Sequence, residues 1–150
     1  MSYPFNVRVY GIYIQHGKLL LTQEVIRGKK YIKFPGGGLQ FGEGIKECLA
    51  REMMEESGEN FHIHSHYYTT EKFIPSAFAS NEQIISIYFL MEAKNSSAFE
   101  QLPHTINELT EESFQFFWIP INTLNPQILT LPIDRTVAEN LLRTNAIVTS

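Results

Sequence analysis

Three consecutive glycines followed by an acidic helical segment limit the folds open to this chain more than any other stretch does. The glycines at 36–38 provide backbone freedom and allow a ligand to approach the main chain closely. After Glu43 and Gly44, the sequence predicts a helix over 45–57, and Gly58 stands where glycine commonly ends a helix. We therefore expect a glycine loop joined directly to one well-bounded helix.

The predicted helix carries apolar and acidic residues on the same side. At about 100° per residue, one narrow stripe and its flank collect six side chains: Ile45, Cys48, Leu49, Glu52, Glu55 and Glu56. We expect the apolar half of the stripe to face the core, so that three carboxylates follow one turn further along. Like charges three and four residues apart repel, and partial burial opposes ionisation. A cation is therefore expected among these acids.

Mg²⁺ or Mn²⁺ suits this donor set, because hard cations bind carboxylate and carbonyl oxygens and keep water in their remaining positions. The alternative is that the three glutamates form a solvated helix face, since surface helices are commonly acidic. The acids considered alone leave both interpretations open.

The fixed positions of that spacing are Gly37, Glu43, Arg51, Glu52, Glu55, Glu56 and Gly58. Their pattern resembles the box of the Nudix hydrolase family, GX5EX7REUXEEXG, with Met53 as the aliphatic U. The family box ends in an aliphatic residue where this chain has Glu59. We expect Phe61, two positions on, to take its packing role.

The resemblance extends over essentially the whole chain and implies a single Nudix hydrolase domain over 1–150. It implies the α/β class, with a Nudix-like α/β/α sandwich around a mixed β-sheet. It also implies a pyrophosphohydrolase that cleaves a nucleoside diphosphate linked to a further group, with Mg²⁺ as the cofactor and Mn²⁺ as a substitute.

Residue roles follow from the resemblance by position. The metal-binding set is Gly37, through its carbonyl, with Glu52, Glu55, Glu56 and, from the loop before Trp118, Glu112. Glu111 is the alternate for the loop acid. An ion pair of Arg51 with Glu43 would orient the helix and the loop. Either Glu52 or Glu55 would serve as the general base, and both stay open.

Substrate-binding residues are expected outside the box. Arg27 and Lys33 belong to a basic cluster just before it and could reach phosphates, although solvated turn residues are the alternative. Phe34, Phe78 and Tyr68 are expected to be exposed near loops, where an aromatic ring could stack on a base.

A nucleoside triphosphate, or a modified one, is the substrate we rank first, giving the monophosphate and pyrophosphate. ADP-ribose or a nucleotide sugar is the alternative, because the distance of Pro75 from the box resembles that in ADP-ribose pyrophosphatases. The neighbouring sequence FIPSAFASNEQ lacks the SPG common in that group. A further alternative from another class is a sensor that binds a nucleotide without cleaving it.

The charge and composition of the chain limit the kinds of partner that it can bind. The net charge of −4 opposes binding of nucleic acid polymers, which usually requires a basic face. No apolar run suggests a membrane span, and MSYPFNVRV lacks the features of a secretion signal. The single cysteine, Cys48, suits a reducing compartment, so we expect a cytoplasmic protein with a small nucleotide substrate. A homodimer stays open.

Strand patterns occupy most of the remaining chain. A hairpin is predicted from 7–15 and 18–26, followed by a turn at 27–30 and a short strand at 31–34. After the helix, 62–74 predicts a strand with His62, His64 and His66 on one face. The later elements are predicted as a loop at 74–82, a buried central strand at 83–93, an irregular connection at 94–112, a strand at 114–119 and a helix at 137–143.

Overall fold

The computed structural model describes residues 2–102 and 114–149. The chain forms two compact units. The first comprises Met1–Tyr13 and Pro35–Ala98, and the second comprises Ile14–Phe34 and Phe99–Ser150. In the described residues, each unit contains one four-stranded sheet and one α-helix.

The strands in chain order are β1 (Phe5–Ile12), β2 (Ile14–Gln15), β3 (Lys18–Ile26), β4 (Lys29–Lys33), β5 (Gly36–Gly38), β6 (Phe61–Thr69), β7 (Gln83–Ala93) and β8 (Phe114–Pro120). The α-helices are α1 (Ile45–Ser57) and α2 (Pro132–Thr149). Short 3-10 helices cover Ser96–Phe99, Ile121–Thr123 and Pro126–Ile128.

The sheet of the first unit is mixed, with the strand order β5-β1-β7-β6. Strands β1 and β7 run parallel over eight residue pairs, while β5 and β6 are antiparallel to their neighbours. The bounds and central position of β7 confirm the predicted central strand at 83–93. The predicted burial on both faces is incomplete, since residues 83–85 are half-buried and Glu92 is exposed.

The sheet of the second unit is antiparallel, and β3 lies at its centre between β4 and β8. Residues 19–23 of β3 are all buried, which explains why the sequence lacks alternation there. Helix α2 extends beyond the predicted 137–143 on both sides. Pro132 begins this helix rather than preceding it, because proline lacks only an N–H that the first turn does not use.

The predicted hairpin of 7–15 with 18–26 is wrong in its main part. Strand β1 pairs with β5 and β7, and only the two-residue β2 pairs with β3. The turn at His16 and Gly17 has φ values of 52° and 73°. Positive φ at both positions matches the tight hairpin turns that follow the strand twist. The turn is therefore a local feature of the sequence, whereas the partners of β1 are set by distant segments.

The next turn is shorter than predicted, since it consists of Arg27 and Gly28, with φ values of 51° and 76°. Strand β4 begins at Lys29. The glycines predicted as a loop form β5, and Gly36 pairs with Tyr10. A Cβ at Gly36 would lie 2.1 Å from the Val9 carbonyl oxygen. Glycine is required here by close backbone approach within a sheet.

Helix α1 has the predicted bounds, and Gly58 ends it with φ 73° while its N–H donates to the Met54 carbonyl at 2.8 Å. The buried residues are Cys48, Leu49 and Met53. Ile45 was expected to face the core and is instead 37% exposed. The buried side of the helix therefore begins at Cys48, about one turn later.

Strand β6 follows the predicted start but ends at Thr69, and bulges interrupt its pairing with β7. Ile63 lies opposite Met91, and His66 lies opposite Phe89. Because Met91 and Phe89 are two apart in β7, the extra residue in β6 moves His66 to the face of Ile63. The prediction that three histidines share one face is therefore wrong for His66.

Phe61 is buried and packs its ring edge-on against Tyr13, with centroids 5.6 Å apart, as expected for the residue replacing the aliphatic position. Strand β8 covers the predicted 114–119 and includes Pro120. Within residues 2–102 and 114–149, no helix has both the length and the apolar character needed to cross a membrane.

Candidate active site

The guanidinium of Arg51 is the centre of the candidate site in the first unit. Its Nε and Nη2 donate to the two carboxylate oxygens of Glu43, at 2.9 and 2.8 Å. Nη1 donates to Glu52 at 3.0 Å and to both oxygens of Glu55 at 3.2 Å. Nη2 also reaches the Gly38 carbonyl at 3.1 Å. One cation thus ties the loop, the glycine strand and two helix acids together.

The pair of Arg51 with Glu43 is present in the form the resemblance implied. Hydrogen bonds from Arg51 and from the Gln40 amide lower the pKa of Glu43 to about 2. The same contacts raise the pKa of Arg51 above its ordinary value, with Glu43 as the largest cause. Both groups therefore stay charged across the physiological range, and the bidentate geometry fixes the loop between β5 and α1 to the helix.

Glu52 lies directly over the backbone of Gly37. A Cβ at Gly37 would meet the carboxylate carbon at 2.3 Å and each carboxylate oxygen at 2.5 Å. Only glycine leaves room for the carboxylate at this position. The side chain of Glu52 is 16% exposed, so the glycine and the guanidinium together hold it in one place.

Glu55 occupies a different environment, because its side chain is 57% exposed. Glu56 is half-buried on the same helix. The helical period places these acids on neighbouring turns of one face, as the sequence predicted. The structure thus gives one shielded carboxylate at Glu52 and one that water reaches freely at Glu55.

The oxygen atoms of this cluster are of the kind that bind a divalent cation, although the described acids are not grouped as a metal site. In residues 2–102 and 114–149, no three His, Cys, Asp or Glu groups stand close enough together to form a metal site. Arg51 supplies the positive charge beside Glu52 and Glu55 instead. The donors nevertheless suit a hard cation, since they are carboxylate and carbonyl oxygens and Gly37 gives Glu52 its close backbone approach. The predicted loop acids Glu111 and Glu112 lie outside the described residues.

Cys48 lies beneath this cluster and is fully buried, with its Sγ donating to the Gly38 carbonyl at 3.5 Å. Burial, followed by the nearby Glu43, raises the pKa of its thiol to about 11. The side chain therefore remains a neutral thiol and packs as a small apolar group, which matches its interpretation from the sequence.

The substrate-binding predictions in the second unit have mixed outcomes. Phe34 is fully buried, so its expected exposure is wrong, and its ring lies in the core of that unit. Its amide donates to Asp134 at 3.3 Å. Lys33 is 8% exposed and pairs with Glu24 at 3.4 Å. Residues 31–34 are all buried, so the end of β4 and the residue after it show no alternation of exposed and buried side chains.

Arg27 is exposed in its turn, and Phe78 of the first unit is 60% exposed, so both keep the accessibility that a binding role needs. Tyr68 is half-buried, and its ring lies 6.2 Å from that of Tyr88. Their roles toward a substrate stay predictions.

Sequence reasoning missed Arg8, a half-buried residue of β1. Its Nε donates to the Tyr10 hydroxyl at 3.1 Å. Burial lowers the pKa of Arg8, but Tyr10 and then Glu52 raise it, and the net pKa lies above the ordinary value. A signal was present in the sequence, because Arg8 is the one charged residue in the strand FNVRVYGI.

Comparisons with known proteins agree with this geometry. The NUDIX domain family matches residues 2–141. The human protein "Nucleoside diphosphate-linked moiety X motif 6" is 30% identical over 126 residues, which are 83% of this chain and 37% of that protein. The chain therefore spans little more than a third of that relative's length.

Two solved structures illustrate the likeness in fold. The Escherichia coli ORF135 protein matches with a TM-score of 0.71 and 19% identity, covering 97% of this chain and 94% of that one. A MutT protein from Methanosarcina mazei Go1 matches with a TM-score of 0.66 and 20% identity, covering 97% and 98%. These matches confirm the predicted α/β fold class with a mixed sheet. The family match over residues 2–141 shows that this chain belongs to the Nudix family.

Proposed function

We propose that this protein is a divalent-metal-dependent pyrophosphohydrolase that cleaves a nucleoside diphosphate linked to a further group. The observation that carries the proposal is the cluster in which Arg51 holds Glu52 against Gly37 and Glu55 at the surface. Family membership supports the same reaction class, and Nudix hydrolases generally use divalent metals.

The residues that would hold the metal are Glu52, Glu55, Glu56 and the Gly37 carbonyl, with Mg²⁺ proposed first and Mn²⁺ as its substitute. When bound, such a cation lowers the pKa of a coordinated water and offsets charge on the phosphates. Glu112 remains the proposed further ligand from the loop.

Hydrolysis forms a bond from the water oxygen to phosphorus and breaks the P–O bond of the anhydride, and the water proton passes to a base. Glu52 and Glu55 are the two candidates for that base. Arg51 orients both carboxylates through the same Nη1 atom, so it is a positioning residue for either assignment. The exposure of Glu55 suits exchange of a proton with solvent, whereas the enclosure of Glu52 suits a fixed orientation.

We propose a nucleoside triphosphate, canonical or modified, as the substrate class, with nucleoside monophosphate and pyrophosphate as products. The sequence around Pro75, which lacks SPG, supports this order over ADP-ribose. One solved structure of similar fold, 15% identical with a TM-score of 0.59, is named an ADP-ribose pyrophosphatase from Streptococcus suis. We therefore propose ADP-ribose as the alternative substrate, to be tested beside the triphosphates.

The experiment is a panel of canonical and modified nucleoside triphosphates, ADP-ribose and nucleotide sugars, assayed with Mg²⁺, with Mn²⁺ and with EDTA. We expect turnover with metal, none with EDTA, and none for Glu56→Gln despite a folded protein. Glu59→Gln is the matched control, because it removes a neighbouring acid outside the cluster.

Full activity in EDTA and in Glu56→Gln would disprove the reaction mechanism. ADP-ribose exceeding every triphosphate by more than about tenfold in kcat/KM, or about 1.4 kcal/mol, would reverse the substrate order. Tight nucleotide binding without phosphate release across the panel would instead favour the sensor.

The base is identified by comparing Glu52→Gln with Glu55→Gln. Loss of the base lowers kcat and removes the acidic limb from the pH dependence of kcat, because no carboxylate remains to be protonated. The variant that keeps this limb, with reduced metal affinity, has lost a ligand rather than the base.

A further inference from the structure

Arg8 lies in the middle of β1, opposite Gly38 of β5 and Ser86 of β7. Residues two apart in a strand share a face, so Arg8 and Tyr10 project together, in agreement with their hydrogen bond. Val9, the residue between them, lies opposite Gly37. Strand β5, called the glycine edge below, therefore has Arg8 on one face and Glu52 on the other.

The charge of Arg8 is balanced differently from that of other cations in the chain. Arg51 contacts three carboxylates, and Lys33 pairs with Glu24. In the part of the chain that the structure describes, no carboxylate oxygen lies within 4.0 Å of the Arg8 guanidinium, whose protein hydrogen bond goes to a neutral hydroxyl.

The Nη atoms of Arg8 donate to no acceptor among the described residues. A guanidinium carries five N–H donors, and the Tyr10 hydroxyl accepts from Nε alone. The negative charge of Glu52, on the other side of the strand, favours the charged form of Arg8 without a hydrogen bond to it. The position of Arg8 in a mostly apolar strand therefore leaves its Nη atoms available to a ligand.

The glycine edge leaves room for that ligand. A Cβ at Gly38 would lie 3.3 Å from Nη1 of Arg8, so glycine keeps the end of the guanidinium clear on that side. Strand β5 is the edge of its sheet, since it pairs only with β1 among the described strands. Its backbone separates the guanidinium from the Glu52 carboxylate.

We propose that Arg8 is a substrate-binding residue whose Nη atoms bind a phosphate group of the nucleotide. The inference deepens the proposed function and rests on it. The planar guanidinium matches two oxygens of one phosphate, and Tyr10 orients it by occupying Nε. A phosphate held there lies at the glycine edge, with the acids of α1 on the other side of the same strand.

The test measures binding separately from hydrolysis. Adenosine, AMP, ADP and ATP are titrated into the intact protein in EDTA by calorimetry, for the wild type, Arg8→Met and Arg8→Lys. We expect the wild type to bind ATP more tightly than adenosine, and Arg8→Met to lose at least about tenfold of the ATP affinity while binding adenosine unchanged. Arg8→Lys keeps the positive charge but loses the planar guanidinium, so we expect it to retain only part of the wild-type ATP affinity.

Arg143→Met, which removes an exposed arginine of α2, is the matched control and should not change any affinity. Far-ultraviolet circular dichroism and the thermal midpoint establish that each variant is folded. If Arg8→Met does not fold, Tyr10→Phe replaces it, since losing the orienting hydroxyl should weaken ATP binding by a few fold.

Equal ATP affinity in the wild type and Arg8→Met would overturn the inference. A parallel loss for adenosine would also overturn it, because Arg8 would then act on the nucleoside or on the fold. Equal affinity of the wild-type protein for ATP and adenosine would overturn it as well, because no phosphate would then contribute to binding. With Mg²⁺, we expect Arg8→Met to raise KM more than it lowers kcat. Absence of all turnover would refute the proposed function but leave the binding result standing.

Discussion

Replacing Gly37 with alanine tests how strictly the glycine positions the acid above it. The added Cβ would stand 2.3 Å from the carboxylate carbon of Glu52, well inside any allowed contact. The obstructing atoms belong to the end of a flexible side chain. We therefore expect the sheet to remain intact and the carboxylate to move away, so that Gly37→Ala damages the site rather than the fold.

The size of the effect follows from what Glu52 loses when it moves. The hydrogen bond that Glu52 accepts from Arg51 at 3.0 Å is charge-assisted, and the Glu52 side chain is only 16% exposed. Such a bond contributes on the order of 1.5–3 kcal/mol. If that orientation is lost from the transition state, kcat falls by about 10- to 100-fold. Stability should fall by only about 1 kcal/mol, because the displaced carboxylate reaches water.

Gly36→Ala provides the contrast, since its Cβ would lie 2.1 Å from the backbone oxygen of Val9, which cannot move without opening the sheet. We expect that variant to lose several kcal/mol or fail to fold. Thermal unfolding and steady-state kinetics on both variants separate the two effects.

A double-mutant cycle gives the decisive result. In a Glu52→Ala background no carboxylate remains to be displaced, so adding Gly37→Ala should change kcat less than about twofold. A further tenfold loss in that background would refute the reasoning, because Gly37 would then act on something other than Glu52.

Two more predictions concern Glu43 and Phe34. The pKa of Glu43 is lowered from 4.5 to about 2, so the stability it adds is fully present above pH 4.5 and is lost as the pH falls toward 2. Urea unfolding of the wild type and Glu43→Gln should converge across that window, and a constant difference down to pH 2 would contradict the pairing with Arg51. Phe34→Ala should destabilise the protein by about 3–5 kcal/mol because the ring is fully buried. Phe34→Leu should keep KM within about twofold, and a large rise in KM with unchanged stability would restore a stacking role.

Features that depend on neighbouring residues in the sequence were predicted well. The bounds of α1 and β7 match their predictions residue for residue. A capping glycine, a helical period and an apolar run act within a few residues, so the sequence contains their cause. The pair of Arg51 with Glu43 is likewise local, because it joins the helix to the short loop before it. The contacts of Arg51 with Glu52 and Glu55, where a metal ion was expected, were not predicted.

Features that depend on partners far away in the chain were not predicted. Strand β1 looked like one arm of a hairpin, yet its partner β7 lies more than seventy residues away. The bulge in β6, which moves His66 to the other face, appears only when its register with β7 is known. Side-chain direction depends on such pairing, since a shift of one residue exchanges the two faces of a strand.

The sequence by itself determined the family, the acidic helix and the pair of Arg51 with Glu43, because the box is contiguous and its spacing is enforced by one helix and one loop. The tertiary structure alone decided that Phe34 and Lys33 point inward, that Gly37 lies under Glu52, and that Arg8 stands beside the same glycine edge. Each of these depends on which distant strand lies alongside, and pairing between strands is a property of the folded chain that no local pattern encodes.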